Sequence, residues 1–101
     1  MDQIQRIEQM ERILDQGTIV LAKLEEALRD YAAVQSDLQQ LYQYYFGPLW
    51  RQDLRDDQAD RIPRELKRGV LSQDAVYDLF QNNELALQEM RSLCGSPRLR
   101  P

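Results

Sequence analysis

Residues 7–45 read IEQMERILDQGTIVLAKLEEALRDYAAVQSDLQQLYQYY, and the spacing of their apolar side chains decides the fold. Ile7, Leu14, Leu21, Leu28 and Tyr42 lie on one seven-residue register, and Met10, Leu24, Tyr31, Leu38 and Tyr45 on another. Alternating steps of three and four residues put both sets on one side of an α-helix. Gly17 and Gln35 are the two breaks. Ile13, Val20, Ala27, Val34 and Leu41 add a third position per heptad, and a stripe that wide suits a helical bundle better than a two-stranded coiled coil.

The ends of this helix are marked. Asp2 and Gln5 have capping-box spacing, which starts the helix near Gln3, and Gly47-Pro48 cannot continue it. The predicted helix has about 44 residues and a length of roughly 65 Å at the α-helical rise. Gly17-Thr18 is its weak point, because an interior glycine costs about 1 kcal/mol relative to alanine. The heptad register is the same on both sides of the glycine, which predicts a continuous or gently kinked helix rather than two.

Beyond the turn, Pro48 suits the first position of a second, short helix that carries Leu49, Trp50 and Leu54 and ends near Ala59. Ile62-Pro63 then breaks the chain. Pro63 and Gly69 bracket Arg64 to Arg68 as one expected helical turn. Ser72 is a good N-cap for the last helix, with Asp74 in its first turn and Leu71 placed to staple against Val76. Val76, Leu79, Phe80, Leu87, Met90 and Leu93 are its expected buried face, and Cys94-Gly95 its end. The expectation is a single all-α domain over residues 1–95, an antiparallel helical bundle in which a long N-terminal helix packs against a shorter C-terminal one through short helical turns. Residues 96–101 read as a disordered tail.

Composition narrows the function classes. The chain has 101 residues, 43 % apolar and 30 % charged, which is ordinary for one soluble helical domain. Asp2, Arg6, Glu8, Glu11 and Arg12 occupy the place where an export signal needs an apolar run, and the longest such run nearby is Ile19 to Ala22. No export signal or membrane span is therefore expected. The lone Cys94 cannot form an internal disulfide, which suits a reducing cytoplasm. Net charge is −4, and residues 1–47 hold all of that excess, eight acids against four bases. DNA binding is not expected of such a chain.

Candidate chemistry is sparse. With no histidine in the chain, the usual general base and the commonest metal ligand are both missing. Asp53, Asp56, Asp57 and Asp60 have i, i+3 and i, i+4 spacings that place carboxylate pairs on one helix face, as a Mg²⁺ or Ca²⁺ site would require. No EF-hand loop or second carboxylate helix accompanies them, so a solvated face paired with Arg51, Arg55 and Arg61 is the favoured reading. Arg61, Arg64, Lys67 and Arg68 form a local basic cluster suited to a phosphate or an acidic surface, although pairing with nearby carboxylates is favoured here too. Tyr42, Tyr44, Tyr45, Phe46 and Trp50 could stack on a base or a partner, yet Trp50 is well placed to plug the core end. Asn83 lies in the apolar face of the last helix as Gln35 does in the first, either to set register or to face a wet edge. Cys94 has no neighbour that would activate it.

Ile62 to Phe80, reading IPRELKRGVLSQDAVYDLF, together with Tyr44-Tyr45-Phe46-Gly47 and Leu49-Trp50-Arg51-Gln52-Asp53, resembles a family of small bacterial helical proteins known as a domain of unknown function. The most specific part is Pro63, Leu66 to Ser72 and Asp74 to Leu79. Phe46, between Tyr45 and Gly47, departs from the compact Tyr-Tyr-Gly turn usual in that family. The resemblance implies an all-helical cytoplasmic protein and no activity.

The expected function is a non-enzymatic protein-interaction module without a cofactor, with Trp50, Arg61, Arg64, Lys67 and Arg68 as its candidate surface. A helix of roughly 65 Å cannot be covered by one of roughly 35 Å. Central elements folding back, a bend at Gly17, or a second copy in a homodimer would each resolve the mismatch, and the homodimer is favoured. The alternative is a binding protein for a small anionic ligand or RNA through residues 61–68.

Overall fold

The computed structural model describes residues 2–101, and among them the fold is all-helical with no strand. Three α-helices and one 3-10 turn follow in order: α1 Gln3–Tyr45, α2 Pro48–Gln58, the 3-10 turn Gly69–Leu71, and α3 Gln73–Cys94. The chain divides into two compact units, residues 1–42 and 43–101, with the boundary inside α1.

The first unit is most of α1. Its capping box is complete, with the Gln5 amide donating to Asp2 Oδ1 at 2.8 Å and the Asp2 amide to Gln5 Oε1 at 3.3 Å. The helix runs through Gly17 without a break. Next to the glycine, the Thr18 hydroxyl donates to the Leu14 carbonyl at 2.8 Å. The Gln35 side chain likewise turns back on its own helix, donating to the Tyr31 carbonyl at 3.0 Å. No residue of α1 is buried.

The second unit holds the core. Trp50, Leu71 and Val76 are the buried apolar residues among those described, and they come from α2, the 3-10 turn and α3. Leu71 and Val76 are the two halves of the predicted staple. Between them the Ser72 hydroxyl accepts from the Ala75 amide at 3.4 Å, capping α3. The rest of the expected α3 face is graded: Phe80, Leu87 and Met90 are half-buried, whereas Leu79 and Leu93 are exposed. On α1 itself, Tyr42 is exposed although it continues the heptad register.

One element differs from its predicted position. Arg64 to Arg68 do not form a helical turn; Pro63 to Leu66 make a single hydrogen-bonded turn, Leu66 amide to Pro63 carbonyl at 3.2 Å, and the helical geometry falls at Gly69–Leu71. An isolated helical turn fixes several dihedrals for one hydrogen bond and is unfavourable alone. Displaced by a few residues, the turn gains Leu71 in the core and a Val70 carbonyl that meets Trp50.

The end of α2 has a feature that residue spacing does not show. Asp60 adopts the left-handed conformation, φ 59°, as the residue just beyond the C-cap. The Arg61 amide donates to the Asp56 carbonyl at 2.9 Å and the Asp60 amide to the Asp57 carbonyl at 3.0 Å, the two bonds of a Schellman motif. Glycine usually fills this position, and aspartate is among the few other residues that tolerate it.

Candidate functional site

Tyr44 to Trp50, the aspartates of α2 and its end, and the basic residues 61–68 lie in one joint, built from the last turn of α1, α2, the loop 59–68 and the 3-10 turn. Gly47 reverses the chain after α1, donating its amide to the Tyr44 carbonyl at 3.0 Å. Pro48 then begins α2 at a position where no amide is needed. This reversal sets Tyr44 and Tyr45 opposite the first two turns of α2.

Trp50 is the centre of the joint. It is 6 % exposed, its indole N–H donates to the Val70 carbonyl at 2.9 Å, and its ring meets Tyr45 edge-on with centroids 4.9 Å apart. Tyr45 in turn meets Phe46 edge-on at 5.0 Å and donates its hydroxyl to the Gln73 carbonyl at 3.3 Å. The end of α1 is thereby bonded to α2, and to the start of α3. Trp50, a candidate for the interaction surface, is enclosed and presents no face for stacking.

The basic cluster is largely neutralised by the acidic one. Arg68 reaches Asp57 at 2.5 Å with both side chains partly buried, Arg61 reaches Asp56 at 3.4 Å, and Arg64 reaches Asp60 at 3.5 Å. The exposed pairs contribute little, while the Arg68 pair ties the loop to α2 in a drier setting. Lys67 alone of the four candidate cations has no acidic partner among the described residues. The expected pairing of the aspartates with arginines holds, although Arg68 and Arg64 take the places expected of Arg51 and Arg55.

Asp53 does something else. It accepts the Tyr44 hydroxyl at 2.6 Å across the reversal. Burial, then the hydrogen bond to Asp53 and its negative charge, push the Tyr44 phenol up to about 12. At neutral pH this phenol is a fixed donor, not a base. Spacing alone could not pair these residues, because the turn at Gly47 lies between them. Tyr44, Asp53, Ile62, Leu66, Lys67, Arg68, Val70 and Leu71 line a cleft of about 310 Å³ on the joint. Its polar groups are a neutral phenol, a carboxylate it already bonds, one paired guanidinium and one ammonium. Nothing in that set supplies a nucleophile activated by a base. Among the described residues no group of three or more His, Cys, Asp or Glu is gathered as a metal site would need.

Burial of the Tyr44 phenol, together with its bond to Asp53, makes stability depend on alkaline pH. An unfolded tyrosine ionises near pH 10, whereas Tyr44 in the fold holds its proton to about 12. Between those values the folded state binds more protons, so stability is full below pH 10 and falls as pH rises through about 12. Urea titrations at pH 7, 9 and 11 should show this slope reduced in Tyr44→Phe. At pH 7 that variant should lose about 1 kcal/mol, the worth of a partly exposed hydrogen bond to a carboxylate.

A family model described as Domain of unknown function (DUF4298) matches residues 7–93. The chain belongs to this family. The DUF4298 match takes in the whole joint, all but the first turn of α1, and α3 to within one residue of its end. No curated protein and no solved structure matches the chain. Membership of DUF4298 thus assigns no activity. No helix among the described residues is long and apolar enough to cross a membrane.

Proposed function

We propose that this DUF4298 protein is a non-enzymatic protein-interaction module of the cytoplasm that associates with itself through α1. The supporting observation is that a helix of 43 residues contains no buried residue. Its heptad positions stand open: Ile7 is 53 % exposed, Leu14 61 %, Leu21 59 % and Leu24 49 %. Helices of this length in water draw their stability from packing an apolar face, and contiguous exposed apolar surface marks an interaction site. A half-exposed apolar side chain of this size leaves roughly 80 Å² of apolar surface, so the ten exposed apolar residues of the stripe, the six Leu and Ile with Met10, Val20, Val34 and Tyr42, leave roughly 800 Å², which is the share of each partner in a standard stable interface.

Light scattering after size exclusion, over a dilution series from about 100 to 1 µM, tests this. The expected result is a mass of twice 12.0 kDa at the upper end, falling on dilution. A mass of 12.0 kDa throughout would overturn self-association.

The exposed, unpaired Lys67 at the rim of the cleft favours a second reading, the capture of an anionic ligand or RNA at residues 61–68. Such a ligand would have to compete with Asp56, Asp57 and Asp60 for the arginines. Binding that vanished between roughly 0.15 and 0.5 M salt would support it, since phosphate contacts weaken steeply with ionic strength.

A further inference from the structure

We infer that the partner on α1 is a second copy of the chain and that the two helices cross at Gly17. This rests on the self-association proposed above and names its contact point. Gly17 is the one glycine within α1, and the helix is continuous across it, so the residue costs about 1 kcal/mol of helix propensity relative to alanine. Among the described residues nothing uses what the glycine provides. A Cβ added there meets no atom within 4 Å, and its φ is not in the left-handed region. The neighbouring Thr18 hydroxyl already satisfies the Leu14 carbonyl, so the site is not an open break in the helix.

Gly17 lies in the stripe itself, between Met10 and Leu24 of one register and beside Leu14 and Leu21 of the other. A depression runs over it, lined by Ile13 and Val20 together with Gln9, Arg12 and Gln16. The distance between packed helices is set by the side chains at the point of contact. A glycine there lets a second backbone come closer, with the flanking Leu14, Leu21, Ile13 and Val20 closing around it. The occupant follows from area and symmetry. The roughly 800 Å² left by the stripe is one partner's share of a stable interface. A two-fold axis at the crossing uses the same patch of each copy, so that one glycine per chain opens both sides.

The test compares the full-length chain with Gly17→Ala and Gly17→Leu, measuring dissociation by light scattering on dilution and helicity by circular dichroism. Alanine should raise the thermal stability of the dissociated helix, where the new methyl meets nothing, and yet weaken the dimer at least ten-fold; leucine should weaken it further. A dimer equally tight or tighter in Gly17→Ala would overturn the crossing and leave self-association standing. A wild type monomeric at 100 µM, its stripe left to a different protein, would overturn self-association and the crossing with it.

Discussion

Trp50→Ala should lower the unfolding free energy by about 3–5 kcal/mol, the range for removing a large aromatic side chain from a packed core. Trp50 is one of three buried apolar residues among those described, so little else in the second unit can take over its role. The loss has three parts: apolar area returned to water, the edge contact with Tyr45 at 4.9 Å, and the hydrogen bond from the indole to the Val70 carbonyl at 2.9 Å. Trp50→Phe separates them. It keeps most of the ring and the Tyr45 contact and leaves the Val70 carbonyl without its donor, so it should cost only about 1–2 kcal/mol more than a well-tolerated apolar exchange. Urea denaturation followed by circular dichroism measures both. Equal losses for the two variants would mean that the hydrogen bond, rather than area, holds the joint. A loss below about 1 kcal/mol for Trp50→Ala would mean that the joint is not part of the cooperative fold.

Gly47→Ala is the second large effect, at about 1–3 kcal/mol. The backbone angles at Gly47, φ −98° and ψ 173°, are open to any residue, and the extended ψ is what the following proline demands. Space is the constraint. A Cβ would stand 2.9 Å from the Gln43 carbonyl oxygen and 3.5 Å from that of Tyr44. Both are backbone atoms in the last turn of α1, and neither can swing aside as a side chain would. Relief has to come from opening the reversal, which draws Tyr45 away from Trp50 and Tyr44 away from Asp53. The emission of Trp50, the chain's single tryptophan, should therefore shift to the red in the folded variant. Gly69→Ala is the control, because a Cβ there meets nothing within 4 Å, and it should stay within about 0.5 kcal/mol of wild type.

These variants bear on one joint because the sequence is legible in some places and silent in others. Capping residues, the proline after Gly47 and the staple around Ser72 act within a few residues, so the boundaries of α1, α2 and α3 follow from local chemistry. The turn assigned to Arg64–Arg68 was misplaced because the residues that draw it to Gly69–Leu71 are Trp50 and Asp57, 20 and 11 residues distant from their partners. Asp60 in its left-handed position could not be read either, since aspartate is common in helices, turns and caps alike. Trp50 was open to two readings in sequence, surface or plug, and only its enclosure separates them. For the four cations of residues 61–68 the sequence favours pairing with nearby carboxylates, and the fold of the loop selects the partners, setting Asp56, Asp57 and Asp60 against three of them.

By itself the sequence determined that the chain is helical, where its helices begin and end, and that a long apolar stripe results, while the structure shows α1 continuing through Gly17. Those properties depend on periodicity and on contacts between near neighbours. The tertiary structure decided which apolar residues are buried, which carboxylate each arginine meets, and that Tyr44 gives its hydroxyl to Asp53. Each of these depends on a chain reversal that brings distant residues together. The unburied stripe of α1 stands between the two: periodicity placed it on one face, and only the fold left that face open.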